Sequence, residues 1–513
     1  MATIQQKLAD SLAALKKYQD QHPDNLVIKG ATTLGTTHTK RLVDMGYLQM
    51  VIKGWYIPSF PGNEGDSTVW YVSYWPFVSA YLNDKFGERW CLSAEMSLYL
   101  YSGKTVVPKQ LIVRAETANN NLLLLPFGTS LVDIKASVPA ITAPFPPYGI
   151  RLYELEEALL MASPDYYRRS TLEVQTCLSM LKDVSKLLKI AIDNGNTSRA
   201  GRVAGALRAV GKTDLADQII STMKSVGYEI REENPFEAPI SVSLPETTPY
   251  ASRIRLLWAK MRTTVLALAD ENKLAKAHHS PDEVFAMMDE RYIKDSYNSL
   301  SIEGYKVTEE LLERVRSGQW NPEADKSDKD RKDALAARGY YQAYQMLRRS
   351  IGDVFEGKSA GRMYVTDHRE WHFQLFEPCV QASIIQASDL IGYRTHQVYI
   401  RNSMHTPLNP AAVLDAMSAL GDLMEHEPDA FVRAVLGHFI FVYIHPYMDG
   451  NGRTARFLMN SQLVTAGYDW VVIPVEKRID YMKALEKASV DEDIADFCRF
   501  VIYLIKTNNS TIK

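Results

Sequence analysis

Residues 445–456 read HPYMDGNGRTAR. The segments on either side, DAFVRAVLGHFIFVYI (429–444) and ARFLMNSQLVTAGY (455–468), carry apolar residues at i, i+3, i+4 and i+7, the period of a buried helix face. The stretch is therefore a loop that feeds a helix N-terminus. Gly450 and Gly452 flank Asn451 and let the backbone turn tightly enough for successive N–H groups to face one concavity. The helix that follows adds unsatisfied N–H groups and the positive end of its dipole, and the two together make an anion site. Arg453 and Arg456 stand three apart, so both can reach one polyanion. Asp449 offers hard carboxylate oxygen, the ligand a phosphate-bound Mg²⁺ takes. His445 supplies a base suited to neutral pH. A lone GNG is commonly just a turn. Base, carboxylate, anion loop and two arginines within twelve residues point instead to phosphoryl or nucleotidyl transfer.

Outward from the loop, helical spacing continues in IRLLWAKMRTTVLALADE (254–271), DALAARGYYQAYQMLRRSI (333–351) and NPAAVLDAMSALGDLME (409–425). The Pro, Ser and Thr of NPFEAPISVSLPETTPY mark an interdomain linker over 234–250. Residues 251–513 then form an all-α domain. QWNPEADKSDKDRKD (319–333) reads as a solvated loop or helix start.

HPYMDGNGRTAR resembles the HxFx(D/E)GNGRxxR signature of the Fic family, with Tyr447 where the family usually has Phe. The departure keeps an aromatic ring. IGYRTHQVYIRNSMHTPLNP (391–410) resembles the family's β-hairpin flap, and RIDYMKALEKA (478–488) its C-terminal helix. The resemblance implies transfer of AMP from ATP to a Ser, Thr or Tyr hydroxyl of a protein target, the protein itself included. It makes His445 the base and Asp449 the Mg²⁺ ligand. Gly450, Asn451, Gly452 and Arg453 become the phosphate cradle, and Arg456 the γ-phosphate contact. Val398, Tyr399 and Ile400 would dock the target by β-augmentation. Kinase-like relatives carry Lys in place of the second glycine, so Gly452 favours adenylylation. Residues 299–304, SLSIEG, resemble the family's inhibitory (S/T)xxxE(G/N) motif. On that likeness Ser299, Glu303 and Gly304 place a carboxylate on Arg456 and misalign ATP. Related proteins use the same Glu to remove AMP, so the reverse reaction stays open.

In the other half, residues 1–60 hold seven basic side chains against four acidic ones. Leu8, Leu12, Leu15 and Tyr18 recur at helical spacing, and HTKRLVDMG after Thr36-Thr37 reads as a second helix. YLQMVIKGWYIPS then reads as two strands turning at Lys53-Gly54. This is the outline of a winged helix-turn-helix. It resembles the N-terminal domain of AbiEi-type antitoxin regulators, which implies promoter DNA as a partner and Lys40, Arg41 and Lys53 as its contacts. The AbiEi-like region extends over 61–233, α+β at first and helical from Pro164. There TVWYVSYW, KQLIVRAE and NLLLLPF read as strands. A second reading of the whole follows: a transcriptional regulator, or fused toxin and antitoxin, whose Fic domain senses nucleotide or removes AMP.

Composition narrows the class. A chain of 513 residues exceeds a single core. With 46% apolar residues and a net charge of −3, it is neither disordered nor uniformly basic. Its four cysteines are far apart, which excludes CxxC chemistry and suits a reducing compartment. No signal peptide or membrane span is expected, so the location reads as cytoplasmic. Nothing in the residues specifies an oligomeric state. GALRAVGKT (205–213) has the wrong spacing for a phosphate-binding P-loop, and HREWH (368–372) has its Glu misplaced for a zinc site. His278-His279 reads as loop.

Overall fold

The computed structural model describes residues 3–22, 27–62, 65–146, 148–237, 239–240, 248–274, 276, 280–319 and 328–510, with the backbone alone at 31, 328–331 and 508–510. Parts of the expected linker (238, 241–247), most of the charged run (320–327) and His278-His279 lie outside the described residues. The chain divides into two units. The first is Met1–Pro239 together with Tyr399–Thr406; the second is Ile240–Val398 with Pro407–Lys513.

The first unit opens with a helix, Ile4–Gln21, started by a capping box between Thr3 and Gln6. A helix over Thr36–Asp44 follows, then a hairpin of β2 (Leu48–Ile52) and β3 (Trp55–Pro58). A short strand β1 (Ile28–Lys29) pairs with the other side of β3. Gly54 takes φ +87° at the hairpin tip, where a side chain would be strained. Leu15, Ile28, Leu34, Leu42 and Leu48 close a small core beneath the helices.

TVWYVSYW is not a strand. It lies in the helix Thr68–Phe86. Trp70, Tyr74, Phe77, Val78 and Leu82 are all fully buried, so the segment is surrounded on most sides by core. Burial of this kind overrides the β-preference of aromatic residues. KQLIVRAE and NLLLLPF do supply strands, β5 (Gln110–Ala115) and β6 (Leu122–Leu124). These join β4 (Trp90–Leu92) and β7 (Ser130–Lys135) in a sheet of order β4-β5-β7-β6. Helices then run from Leu155 to Ser225. Gly205 lies inside the helix Thr197–Ala209, where a Cβ would come 2.1 Å from the Glu233 carbonyl oxygen. GALRAVGKT therefore carries its glycine for close packing.

The expected flap forms no hairpin. No strand occurs between 391 and 409, and Asn402 takes a left-handed turn (φ 58°). The segment's polar groups are engaged by the first unit, to which Tyr399–Thr406 belongs. Met404 O accepts from the Val107 N–H (2.9 Å), and His405 makes a single β-bridge to Val106. Arg401 pairs with Asp66 (3.2 Å), and the Asn402 N–H donates to Thr68 Oγ1 (2.9 Å).

Among its described residues the regular elements of the second unit are all helices. At its centre Ala430–Ile444 is buried except at Ala430, Arg433 and Val442, and Asn451–Val464 is buried except at Gly452. A helix apolar on all sides belongs in the middle of a bundle. The turn between these two helices is the stretch 445–450. Among the described residues, no helix is long and apolar enough to cross a membrane.

Candidate active site

His445 ends the first central helix in a left-handed conformation (φ 54°, ψ 62°), and Gly450 begins the second in another (φ 83°, ψ 0°). A left-handed β-carbon-bearing residue needs outside support. Arg394 gives it: Nε donates to His445 O (2.7 Å) and the Arg394 N–H to Pro446 O (2.9 Å). Arg394 also donates to the carbonyls of His396 and Leu408. Burial draws this guanidinium down to about 10. No local pattern marks its role, because its partners are main-chain oxygens 2 to 52 positions away.

The His445 ring is tautomerically defined. Nδ1 lies 3.2 Å from Val442 O; a carbonyl can only accept, so Nδ1 carries the proton and Nε2 keeps its lone pair. Desolvation by the surrounding helices holds the imidazole down at about 4. The side chain is neutral across the physiological range, with the Nε2 lone pair available to accept a proton.

The second helix starts without a side-chain cap, so its first-turn N–H groups have no intrahelical partner. Asn451 contributes less than expected to an anion cradle. Its Oδ1 accepts from the Tyr447 N–H and its Nδ2 donates to Tyr447 O, both at 2.9 Å. The side-chain amide is thus used in bracing the loop, and only the Asn451 backbone N–H is left for an anion. Asp449 Oδ1 accepts from the Gly450 N–H (2.6 Å) and lies 3.4 Å from Arg453 Nη2.

The two arginines differ. Arg453 is 1% exposed, and its Cζ lies 4.9 Å from the Phe376 ring centre and 5.3 Å from that of Tyr305. Its Nε has no hydrogen-bond partner among the described residues, and Nη2 has only the 3.4 Å ion pair with Asp449. A buried guanidinium with idle N–H groups is costly unless an anion completes it. Arg456 is occupied. Nε donates to Ser299 Oγ (2.8 Å), and Nη2 to Ser299 O (3.0 Å) and Glu303 Oε1 (2.7 Å). Burial works against its charge, but the Glu303 carboxylate overcomes this and holds Arg456 above its ordinary value.

Ser299 and Glu303 come from the end of the helix Pro281–Ile302, one turn apart on one face. Gly304 (φ +88°) turns the chain away immediately afterwards. A Cβ on Gly452 would lie 2.4 Å from Glu303 Oε1. The carboxylate therefore rests on the first turn of the second central helix, where an anion would sit. The structure brings together His445, Asp449, Gly450, Asn451, Gly452, Arg453, Arg456, Ser299, Glu303 and Gly304.

Residues 364–463 match the Fic/DOC family. The chain is 29% identical over 272 residues to protein adenylyltransferase fic-1 of Caenorhabditis briggsae, an alignment covering 50% of this chain and 49% of that protein. It is 42% identical over 113 residues to protein adenylyltransferase Fic of Nematostella vectensis, covering 21% and 26%. The chain thus spans about half the length, or less, of these curated relatives. A solved structure of Fic-1 residues 134–508 from C. elegans is 22% identical, covers 69% of this chain and 89% of its own, and has a TM-score of 0.37. The Fic match contains the whole loop; Glu303 and nearly all of the first unit lie outside it.

Other expected residues lie elsewhere. Val398 belongs to the second unit, but Tyr399 and Ile400 belong to the first. Lys40 and Lys53 are exposed on the first unit. Arg41 is turned inward, donating to Lys7 O (2.8 Å) and Ser11 Oγ (2.7 Å).

Proposed function

We propose that the chain is a protein adenylyltransferase that moves AMP from ATP onto a Ser, Thr or Tyr hydroxyl. The observation that carries this reading is a neutral His445 with its lone pair on Nε2, five residues before the Gly450 N-cap of a helix lined by two buried arginines. In the reaction the acceptor oxygen bonds to the α-phosphorus while His445 Nε2 takes the hydroxyl proton. The α-phosphorus–oxygen bond to the β-phosphate breaks, and pyrophosphate leaves. First-turn N–H groups and Arg453 hold the charge that develops on the phosphates. Among the described residues no cluster of three or more metal-ligating side chains exists. A single exposed carboxylate, Asp449, fits Mg²⁺ held mainly by phosphates and water. When bound, that ion neutralises the departing diphosphate.

Two measurements test the reading. With α-labelled ATP, His445→Ala should lower label transfer by roughly 10²–10⁴-fold, the usual contribution of a positioned base. Because His445 is held near 4, the rate should stay flat from pH 8 down to about pH 5. An acid limb with its midpoint at the ordinary imidazole value would contradict that assignment.

We read the described part of residues 3–58 as a winged helix that binds DNA. Its support is the element order helix–strand–helix–helix–hairpin with Lys40 and Lys53 exposed. Lys40→Glu with Lys53→Glu should weaken binding to the protein's own upstream DNA and reduce the salt slope by about 2. An unaltered gel shift would exclude these contacts. Arg41→Glu is expected to lower stability instead, since Arg41 ties the Thr36–Asp44 helix to the first helix.

A further inference from the structure

The HREWH stretch fits no metal site, yet its second histidine meets the catalytic loop. His372, on the helix Ala360–Gln381, is 4% exposed. Its ring stacks on Tyr447 with centroids 3.6 Å apart and planes 7° apart. Its Nε2 lies 3.0 Å from the main-chain oxygen of Asp449. That oxygen has no proton to give, so Nε2–H is the donor and Nδ1 is a bare lone pair. Nδ1 has no hydrogen-bond partner among the described residues. A Cβ on Gly450 would lie 2.7 Å from Phe376 Cε2 and 3.3 Å from His372 Cδ2. The loop backbone therefore rests directly on this helix, and only glycine permits the approach.

The Asp449 carbonyl and the Gly450 N–H belong to one planar trans peptide, in which C=O and N–H point in opposite directions. A bond that fixes the oxygen on the helix side aims the N–H to the other side, where Asp449 Oδ1 now accepts it at 2.6 Å. We infer that His372 is a positioning residue: through the Asp449–Gly450 peptide it orients the Gly450 N–H and, with it, the Asp449 carboxylate that this N–H holds. This rests on the adenylyl-transfer reading of the same loop. Ring stacking alone would fill the space equally well, so the inference concerns the Nε2–H donor.

The test uses the full chain carrying Glu303→Gly as parent. His372→Phe keeps an aromatic ring against Tyr447 and removes the donor. It should lower kcat about tenfold, the scale of one buried hydrogen bond left unmade, and raise the Mg²⁺ concentration for half-maximal rate severalfold. KM for the protein target should hold. His372→Gln, which restores a donor at the same reach, should recover part of the loss. A role confined to packing predicts the reverse order, with Phe near the parent and Gln worse. Values for His372→Phe within twofold of the parent would overturn the inference. If the parent transfers no AMP at all, the adenylyl reading fails. His372 is then judged by calorimetry of ATP binding with and without Mg²⁺, where the same variant should lose most of the Mg²⁺-dependent gain and equal binding would overturn it. A parent that binds no nucleotide sinks both.

Discussion

Glu303→Gly is expected to raise transfer of α-phosphate label onto protein by roughly 10- to 100-fold. The estimate comes from the contact it removes. Glu303 Oε1 takes one Arg456 N–H at 2.7 Å and lies against Gly452, so it competes with a phosphate for both. A hydrogen bond between charged groups contributes about 1.5–3 kcal/mol, and each 1.4 kcal/mol is tenfold. Ser299 holds Arg456 from the other side through two bonds of 2.8 and 3.0 Å. The guanidinium therefore stays in place when Glu303 goes, ready for the nucleotide. Adding Arg456→Ala to Glu303→Gly should erase most of the gain. Labelling that stays at the wild-type level in Glu303→Gly, with ATP binding intact, would end the autoinhibition reading.

The second large effect is acid sensitivity of the second unit. His368 and His372 are held near 4 and His438 near 3, each chiefly by burial. Once unfolded, each takes up a proton near the ordinary imidazole value. Below that value the unfolded chain binds more protons than the folded one, so stability falls as pH falls. Asp295 acts in the opposite sense. Burial raises it to about 6, so between about 6 and the ordinary carboxylate value the folded state holds the extra proton. His445 is held near 4 as well, so four groups against one leave a net slope of roughly 4 kcal/mol per pH unit between pH 6 and 4. The urea midpoint should therefore drop sharply from pH 7 to pH 5, and His438→Gln should blunt the drop. Equal midpoints at the two pH values would refute it.

What could be read from the residues and what could not divide along a physical line. The catalytic loop was legible because its chemistry sits in twelve contiguous positions between two strongly periodic helices. Ser299 and Glu303 were legible through the likeness of SLSIEG to the (S/T)xxxE(G/N) motif, but their approach to Gly452 was not. TVWYVSYW misled because aromatic content speaks for strands, while enclosure by core on most sides suits a helix equally. Arg41 sat at a plausible recognition position, yet whether a side chain faces outward depends on Ser11, 30 positions away. His372 was weighed only as half of an i, i+4 histidine pair and set aside as no metal site. Its partner, Asp449 O, lies 77 positions on, and no local pattern carries that distance.

The short segment Tyr399–Thr406 has a consequence for how the protein is made. The first unit is completed by residues that follow Pro239 by more than 150 positions. Val107 and Asp66 find Met404 and Arg401 only when that later chain exists. At about 5–20 residues per second, a ribosome needs on the order of 10–30 s between making Pro239 and Thr406. Through that interval Val107 and Asp66 lack these partners, while the helices from Pro249 to Gln381 are being made. The first unit therefore reaches its full set of contacts only after Thr406 has been made, whatever the order in which its earlier elements fold.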